Sequence, residues 1–383
     1  MADLDLLILG GGCAGLGLGM RLAEAGAVAP RTRVVESRTR YQDDRTWCFW
    51  RTAPHRFESL VAASWDAMAV GRGGQLRRHD CSETPYQMLP ALPYYELAQE
   101  RMGESDRVRL DLGTRVTAEP IREKGSWVVE TDRGTVRSRH LVDTRPPSPL
   151  PDCVLWQSFL GQVVRAEEAR FDPTTATLMD FDEPGPRGVQ FTYVLPFSPH
   201  EALVETTVFG ARALGPSDLE ADLERALERR LEGSAVTTLR SEHGALPMGF
   251  QSPLPSEAWV QAGLFHGGAR PSTGYAFQRI QAWADSCSQA LLAGEAPHPA
   301  APDPALRRGM DAVFLRVLRN EPERGPELLA RLFDAAPTHR VVRFLSDLGS
   351  TSDALAIVRA LPPGPFLREA GAALLRRPLG EVG

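Results

Sequence analysis

Leu4-Asp5-Leu6-Leu7-Ile8-Leu9-Gly10-Gly11-Gly12-Cys13-Ala14-Gly15 is the stretch that decides the fold of this chain. Leu4 to Leu9 is short and almost wholly apolar, as expected of a buried parallel strand. Three glycines break it, and Cys13 to Ala25 reads as a helix ending at Gly26. Arg33 to Glu36 reads as the next strand, with Glu36 placed 21 residues after Gly15. A GxGxxG turn between a strand and a helix is the signature of a dinucleotide-binding βαβ unit. Gly10 permits the tight turn, Gly12 lets the backbone approach a pyrophosphate, and Gly15 lets helix and strand pack closely. Gly11 and Ala14 complete the small-residue turn. The helix start offers unpaired N–H groups and a positive dipole end to the phosphates. Glu36 can accept hydrogen bonds from ribose hydroxyls and would repel a 2′-phosphate, so FAD or NAD fits this site better than NADP. A second segment favours FAD: Gly267-Gly268-Ala269-Arg270-Pro271-Ser272-Thr273-Gly274-Tyr275 precedes a helix late in the chain. Backbone around Gly268, Pro271, Thr273 and Gly274 can meet a flavin ring and ribityl chain; a plain loop is the alternative.

The chain has 383 residues and is 43% hydrophobic. That is enough for a large core and two or three domains. Its net charge of −6 argues against nucleic-acid binding. Lys124, the one lysine, precedes its glycine, which excludes the Gly-Lys pair of a P-loop. The five cysteines have neither CxxC nor metal-ligand spacing, so reduced thiols and no metal site are expected. No signal peptide is expected ahead of the first strand. No apolar run approaches the roughly 18 residues that suggest a membrane span.

The fold class is therefore α/β: a Rossmann-like FAD-binding domain, a β-rich substrate domain and a helical C-terminal region. Residues 1–145 form the first part of the FAD domain, with strands around Val108-Leu110, Trp127-Val129 and His140-Val142. Pro146, Pro147, Pro149 and Pro151 mark a boundary. Residues 146–244 carry strands at Ala176–Phe181, Gln190–Leu195 and Ala202–Phe209, then a helix over Ser217–Glu232. Ser217 and Glu220 have capping-box spacing, and Leu219, Leu223, Leu227 and Leu231 form a core stripe. Residues 245–293 complete the FAD domain. A Pro-rich linker at 294–304 leads into helices expected at 305–319, 326–335, 339–348 and 352–361. Residues 305–383 hold 12 arginines against 9 acidic residues. With Phe314, Val317 and Leu318 on one helix face, this tail reads either as a membrane-surface patch or as packing onto the body.

Several blocks resemble those of carotenoid cyclases, in the same order: Asp44-Arg45-Thr46-Trp47-Cys48-Phe49, Leu141-Val142-Asp143-Thr144-Arg145, Tyr193-Val194-Leu195-Pro196, Leu203-Val204-Glu205-Thr206-Thr207, Gly244-Ala245-Leu246-Pro247-Met248 and Gly268 to Tyr275. Together they span nearly the whole chain, and the sequence is similar to the bacterial lycopene β-cyclases. The resemblance implies a membrane-associated enzyme at the cytoplasmic, inner face of the cell membrane. It implies reduced FAD, NADPH as the reductant, and lycopene or a related acyclic carotenoid as substrate. The reaction it implies is the non-redox closure of ψ-ends to β-ionone rings. The family's catalytic acid maps to Glu205. Thr206 departs from the family, which has a second acidic residue there, and Thr144 departs where relatives often have glycine.

Ring closure needs a proton delivered to an alkene carbon and another removed after C–C bond formation. A carboxyl among Ala202, Leu203, Val204, Val208 and Phe209 would keep its proton near neutral pH, so Glu205 suits a general acid. Trp47, Phe49 and Trp50 read either as a polyene-lining set or as core. Arg45 and Arg270 read either as cofactor contacts or as structural pairs. Asp143 either faces the cofactor or caps a turn, and His266 reads as structural. Two other functions fit the same chain. One is a redox flavoenzyme such as a polyprenyl reductase or hydroxylase; the other is a flavin-free carotenoid or lipid carrier.

Overall fold

The computed structural model describes residues 4–150, 152–181, 187–249, 259–334 and 336–375. Pro151, residues 250–258 of the expected completing segment, residue 335 and the tail from 376 lie outside the described residues.

Strand β1 (Leu4–Leu9), helix α1 (Cys13–Glu24) and β2 (Thr32–Val35) form the expected βαβ unit. The chain then runs through β3 (Thr46–Trp50), β4 (Ala63–Trp65), β5 (Ala67–Arg72), β6 (Gln75–Asp80) and β7 (Tyr86–Pro90) to α2 (Ala91–Gly103). It returns as β8 (Val108–Asp111), β9 (Ile121–Glu123), β10 (Ser126–Thr131) and β11 (Gly134–Asp143). Next come β12 (Leu155–Ala166), β13 (Thr175–Phe181), β14 (Val189–Pro196), β15 (Glu201–Gly210), α3 (Pro216–Leu231) and β16 (Val236–Met248). A short β17 (Val260–Gln261) and α4 (Phe277–Leu292) precede five helices: α5 (Ala305–Asn320), α6 (Gly325–Asp334), α7 (Thr338–Leu345), α8 (Thr351–Ala360) and α9 (Pro363–Leu375).

Three sheets result. The first has the order β8-β2-β1-β11-β10-β9, with β17 added beside β11. Its β8, β2, β1 and β11 are parallel. Apolar Leu6, Ile8, Val34 and Val142 face α1, α2 and α4, and Leu7, Leu9, Val35 and Leu141 pack with Trp127 and Val129 on the other side. The strands are buried on both faces, which is why they read as continuous apolar runs. The segment after 259 returns to this sheet through β17, which pairs in parallel with β11, and through α4, which packs on α1.

The second sheet has the order β16-β12-β15-β14-β13-β5-β6. The chain crosses the division expected at residue 145, because β5 and β6 pair into this sheet. Its alternation sorts side chains between two cores. Ala202, Val204 and Val208 of β15 pack with Leu219, Leu223 and Ala226 of α3. Leu203 and Phe209 face the opposite core, shared with β3–β7 and the C-terminal helices. The third sheet, β3-β7-β4, lies between the other two in this packing.

One sequence reading changes and one pair of alternatives is decided. Helix α3 starts at Gly215, whose N–H donates to the Asp218 carboxylate at 2.9 Å, rather than at a Ser217–Glu220 box. Val317 and Leu318 are buried, and Phe314 packs against the same core and stacks on Phe366, so this face closes onto the body. The sequence reading did not place the long strands β12 and β16, the β3–β7 region or helix α9.

Candidate active site

The glycine turn is shaped by its backbone. Gly10 has φ +95°, left-handed space that suits a residue without Cβ. A Cβ on Gly15 would collide with the Gly10 carbonyl oxygen, and one on Gly11 would lie 2.5 Å from the Tyr41 hydroxyl. Gly12 is different: nothing lies within 4 Å of where its Cβ would be. It caps α1 without a side-chain hydrogen bond, and the first turn has no acidic residue. The first N–H groups of the helix therefore point toward unfilled space, which suits a phosphate. Glu36 sits at the end of β2, buried, and accepts from the Gly11 N–H at 2.7 Å. Arg38 pairs with it at 3.1 Å and also donates to the Gly11 carbonyl. Hydrogen bonds from Arg38 and Gly11 hold the Glu36 carboxyl below its ordinary range against the opposing effect of burial. Arg38 also offsets part of the charge expected to repel a 2′-phosphate.

The late glycine segment meets this turn. A Cβ on Gly263, at φ +95°, would touch Ala14 at 3.3 Å, and the Ala262 N–H donates to the Asp143 carbonyl. Gly268 packs against the Gly263 carbonyl. The neighbouring His266 ring is buried, and its Nδ1 has no partner among the described residues. An open cradle at Gly12 and an orphaned polar atom at His266 fit a dinucleotide whose far end lies against this loop.

Other expected contacts resolve differently. Arg270 is fully buried, paired with Asp311 at 3.2 Å, bonded to the Phe344 carbonyl and stacked over the Phe344 ring. Ser272 also donates to Asp311. The Arg270–Tyr275 loop is thus stitched to α5 and α7, and Arg270 is structural. Thr273 and Gly274 close that loop on the Arg270 carbonyl, and the Pro271 carbonyl accepts from Gly249. Asp143 accepts from the Arg145 N–H at 3.0 Å and pairs with its guanidinium, which makes it a turn cap. Thr144 donates to the Leu9 and Gly10 carbonyls, anchoring the same turn. Arg45 is half-exposed beside Asp44 and the His243 carbonyl, and its charge acts on Glu242.

The carboxyl site lies on the face of the second sheet that looks toward β3 and β7. Glu205 is 8% exposed. Thr207, two residues on along the same face, donates to it at 2.7 Å. Burial, and then the Glu242 carboxylate, push the Glu205 carboxyl up to about 8, against the Thr207 hydrogen bond. Tyr193 of β14 is its cross-strand neighbour. The Tyr193 hydroxyl lies 3.1 Å from that of Tyr86, and Cys48 of β3 interacts with both rings' hydroxyls. Burial pushes the Cys48 thiol up to about 12 and Tyr86 and Tyr193 well above their usual range, so all three stay neutral. Thr206 points the other way, into the α3 side, and is fully buried.

Sequence reasoning missed Glu242, Thr46, Cys48 and Gly161. The signal lay in period-two alternation along Thr46–Trp50. Trp47 and Phe49 stack on Phe277 in the first domain's core, whereas Trp50 packs on Tyr86 and Tyr275 and Cys48 joins them. The aromatic pair Trp47 and Phe49 is therefore core. Among the described residues no cluster could hold a metal ion, and no helix is long and apolar enough to cross a membrane.

A cavity of about 1990 Å³ lies between the C-terminal helices and the sheets. Met179, Phe209, Tyr275, Phe314, Phe344 and Phe366 are among its walls. Phe209 shares the sheet face of Glu205, and Tyr275 approaches Tyr86.

Known proteins agree with this architecture. The chain is similar over 98% of its length to a geranylgeranyl bacteriochlorophyll reductase-like protein from Thermoplasma acidophilum, with TM-score 0.63, 13% identity and 99% of that chain covered. It is similar to the p-nitrophenol 4-monooxygenase PnpA from Pseudomonas putida DLL-E4, with TM-score 0.61 and 14% identity over 99% of this chain and 100% of that one. These likenesses show that the chain shares the fold of those two proteins. In sequence, the chain is 30% identical over 293 residues to the lycopene beta-cyclase of Paracoccus sp. (strain N81106 / MBIC 01143), covering 70% of this chain and 68% of that protein. The model of the lycopene cyclase protein family matches residues 5–370, and the chain belongs to that family.

Proposed function

We propose that this protein cyclises the ψ-ends of lycopene, or of a related acyclic carotenoid, to β-ionone rings by acid catalysis with no net redox change. The observation that carries this reading is Glu205: a buried carboxyl pushed up to about 8, at the position that matches the family's acid. At neutral pH it holds its proton and can donate it. Transfer from the carboxyl oxygen to the terminal alkene carbon uses the alkene electron pair to form a C–H bond. A second alkene closes the ring on the cation, and loss of an adjacent proton restores a double bond. That proton can return to the Glu205 carboxylate, so protons and electrons balance. Burial of the site keeps water away and so protects the cation from capture.

Gly10, Gly11, Gly12, Ala14 and Gly15 would hold the FAD pyrophosphate, Glu36 the ribose, and the loop from Gly263 to Gly268 the flavin end. When bound, reduced FAD would supply negative charge near the cation; NADPH is the proposed reductant. The cavity beneath the C-terminal helices has the size and walls for an extended polyene. Exposed Leu306, Leu355, Val358 and Leu367 on those helices, with Leu348 in the loop between α7 and α8, suit peripheral docking at the inner face of the cell membrane.

The test is expression in lycopene-producing bacteria beside Glu205→Gln, with pigments separated by chromatography and NAD(P)H use measured. Cyclic carotenoids from the wild type, and lycopene left by an equally abundant variant, are expected. Stoichiometric NAD(P)H consumption with no ring formed would replace this reading by a redox one.

A further inference from the structure

We propose that Glu242 is the positioning residue for Glu205: an anchored carboxylate on the same sheet face, across Gly161, that holds the proton on Glu205 between turnovers. The proposal rests on the reading of Glu205 as the acid.

Three residues share one rung of the sheet. Gly161 of β12 pairs with Glu205 of β15 on one side and with Glu242 of β16 on the other. Opposed residues in antiparallel strands project to the same face, and two strand spacings put the glutamate backbones about 10 Å apart. Gly161 has no side chain to stand between them. A Cβ there would lie 3.2 Å from the Glu205 Cβ and 3.1 Å from Leu203. The two carboxyl side chains therefore face one another over a gap that the glycine leaves.

Their surroundings differ in one respect. Glu205 has a hydroxyl, that of Thr207. Glu242 has a cation: Arg240 lies 2.8 Å from its Oε2, and Thr46 donates to the same oxygen at 2.7 Å. Burial raises the Glu242 carboxyl, and Arg240 opposes that rise. Of the two acids, Glu242 is the one whose charged form has a cation beside it. Arg240 does not cancel that charge, because it is shared with the Asp43 carboxylate at 3.3 Å. Arg45 adds a smaller opposing effect on Glu242, and it is the Glu242 carboxylate itself that acts on Glu205, since like charge in a dry site disfavours a second ionisation.

The other groups facing Glu205 are neutral. They are Thr207 on its own strand, Tyr193 on β14, Cys48 on β3, Tyr86 on β7 and Tyr275 beyond it. Arg45 lies farther out, half-exposed and next to Asp44. Thr206, the sequence neighbour, faces α3. Glu242 is thus the charged group, among the described residues, that acts on Glu205.

The experiment is infrared titration of the purified full-length protein. The Glu205 carboxylic-acid band is identified by its loss in Glu205→Gln. Glu242→Gln should lower its midpoint by about one pH unit, and Glu242→Asp should restore most of that shift. If Glu242→Gln fails to fold, Glu242→Ser, which also removes the carboxylate and leaves Arg240 paired with Asp43, should give the same direction. An unchanged Glu205 midpoint in whichever of these variants folds overturns the proposal. Wild-type protein that leaves lycopene untouched would overturn the cyclase reading instead, while the titration still decides whether Glu242 acts on Glu205.

Discussion

The glycine turn and the carboxyl site are built on opposite plans. The turn is local: Gly10 to Gly15, with Glu36 joined to Gly11 by one hydrogen bond, fits within a single βαβ unit. The carboxyl site gathers Thr46 and Cys48 from one sheet and Gly161, Tyr193, Glu205 and Glu242 from another. A local motif is written in spacing, because backbone conformation over a few residues determines it. A site made across strands depends on register, which places or misplaces every side chain at once.

Gly15→Val should do the most damage. Its side chain would meet the Gly10 carbonyl, separating helix α1 from strand β1. We expect a cost of about 3 kcal/mol or more, seen as insoluble protein or a large fall in Tm. A well-folded variant would break the view that this turn is set by close packing.

Glu205→Gln should lower cyclisation by about 10²–10⁴-fold while leaving flavin content intact. It should also change how stability depends on pH. The Glu205 carboxyl titrates near 4.5 when unfolded and at about 8 when folded. The folded state therefore binds the extra proton between those values. Wild-type stability falls as pH rises through that window, and the variant lacks this loss. Thermal melts should show Glu205→Gln gaining on the wild type by a few kcal/mol, about 3–5, between pH 4.5 and pH 8. Parallel profiles would mean that Glu205 is solvated in both states.

Gly12→Ala sharpens the comparison within the turn itself. Its Cβ meets nothing within 4 Å, so the protein without cofactor should melt within a degree or two of the wild type. FAD affinity should nevertheless drop about tenfold or more, because the methyl would occupy the pyrophosphate approach. Fluorescence titration with FAD measures this. Equal affinity would remove Gly12 from the cofactor site.

Arg45→Ala should have the smallest effect, within about 0.5 kcal/mol on stability, because the residue is half-exposed and its ion pair is solvent-screened. Flavin content should not change. A clear loss of FAD would return Arg45 to the cofactor contacts that its sequence block suggested.

Arg270 shows the limit of motif reading. Its neighbours Pro271 to Tyr275 suggested a cofactor loop, and an arginine there invited a phosphate. Full burial against Asp311 and Phe344 instead makes it the anchor between that loop and the C-terminal helices. Its partner lies in a helix that follows a separate linker, and nothing in the spacing of the loop points there.

By itself the sequence determined the βαβ unit, the α/β class, the strand that carries Glu205 and the helical tail. Each follows from short-range physics: glycine's permitted φ, the buried run of a parallel strand, and the alternation of a strand between two cores. Only the tertiary structure decided that β5 and β6 join the second sheet, that Thr206 turns away from Glu205, and that Glu242 faces Glu205 across Gly161. Those outcomes depend on which strands pair and in what register, and pairing is settled by contacts between residues far apart in the chain.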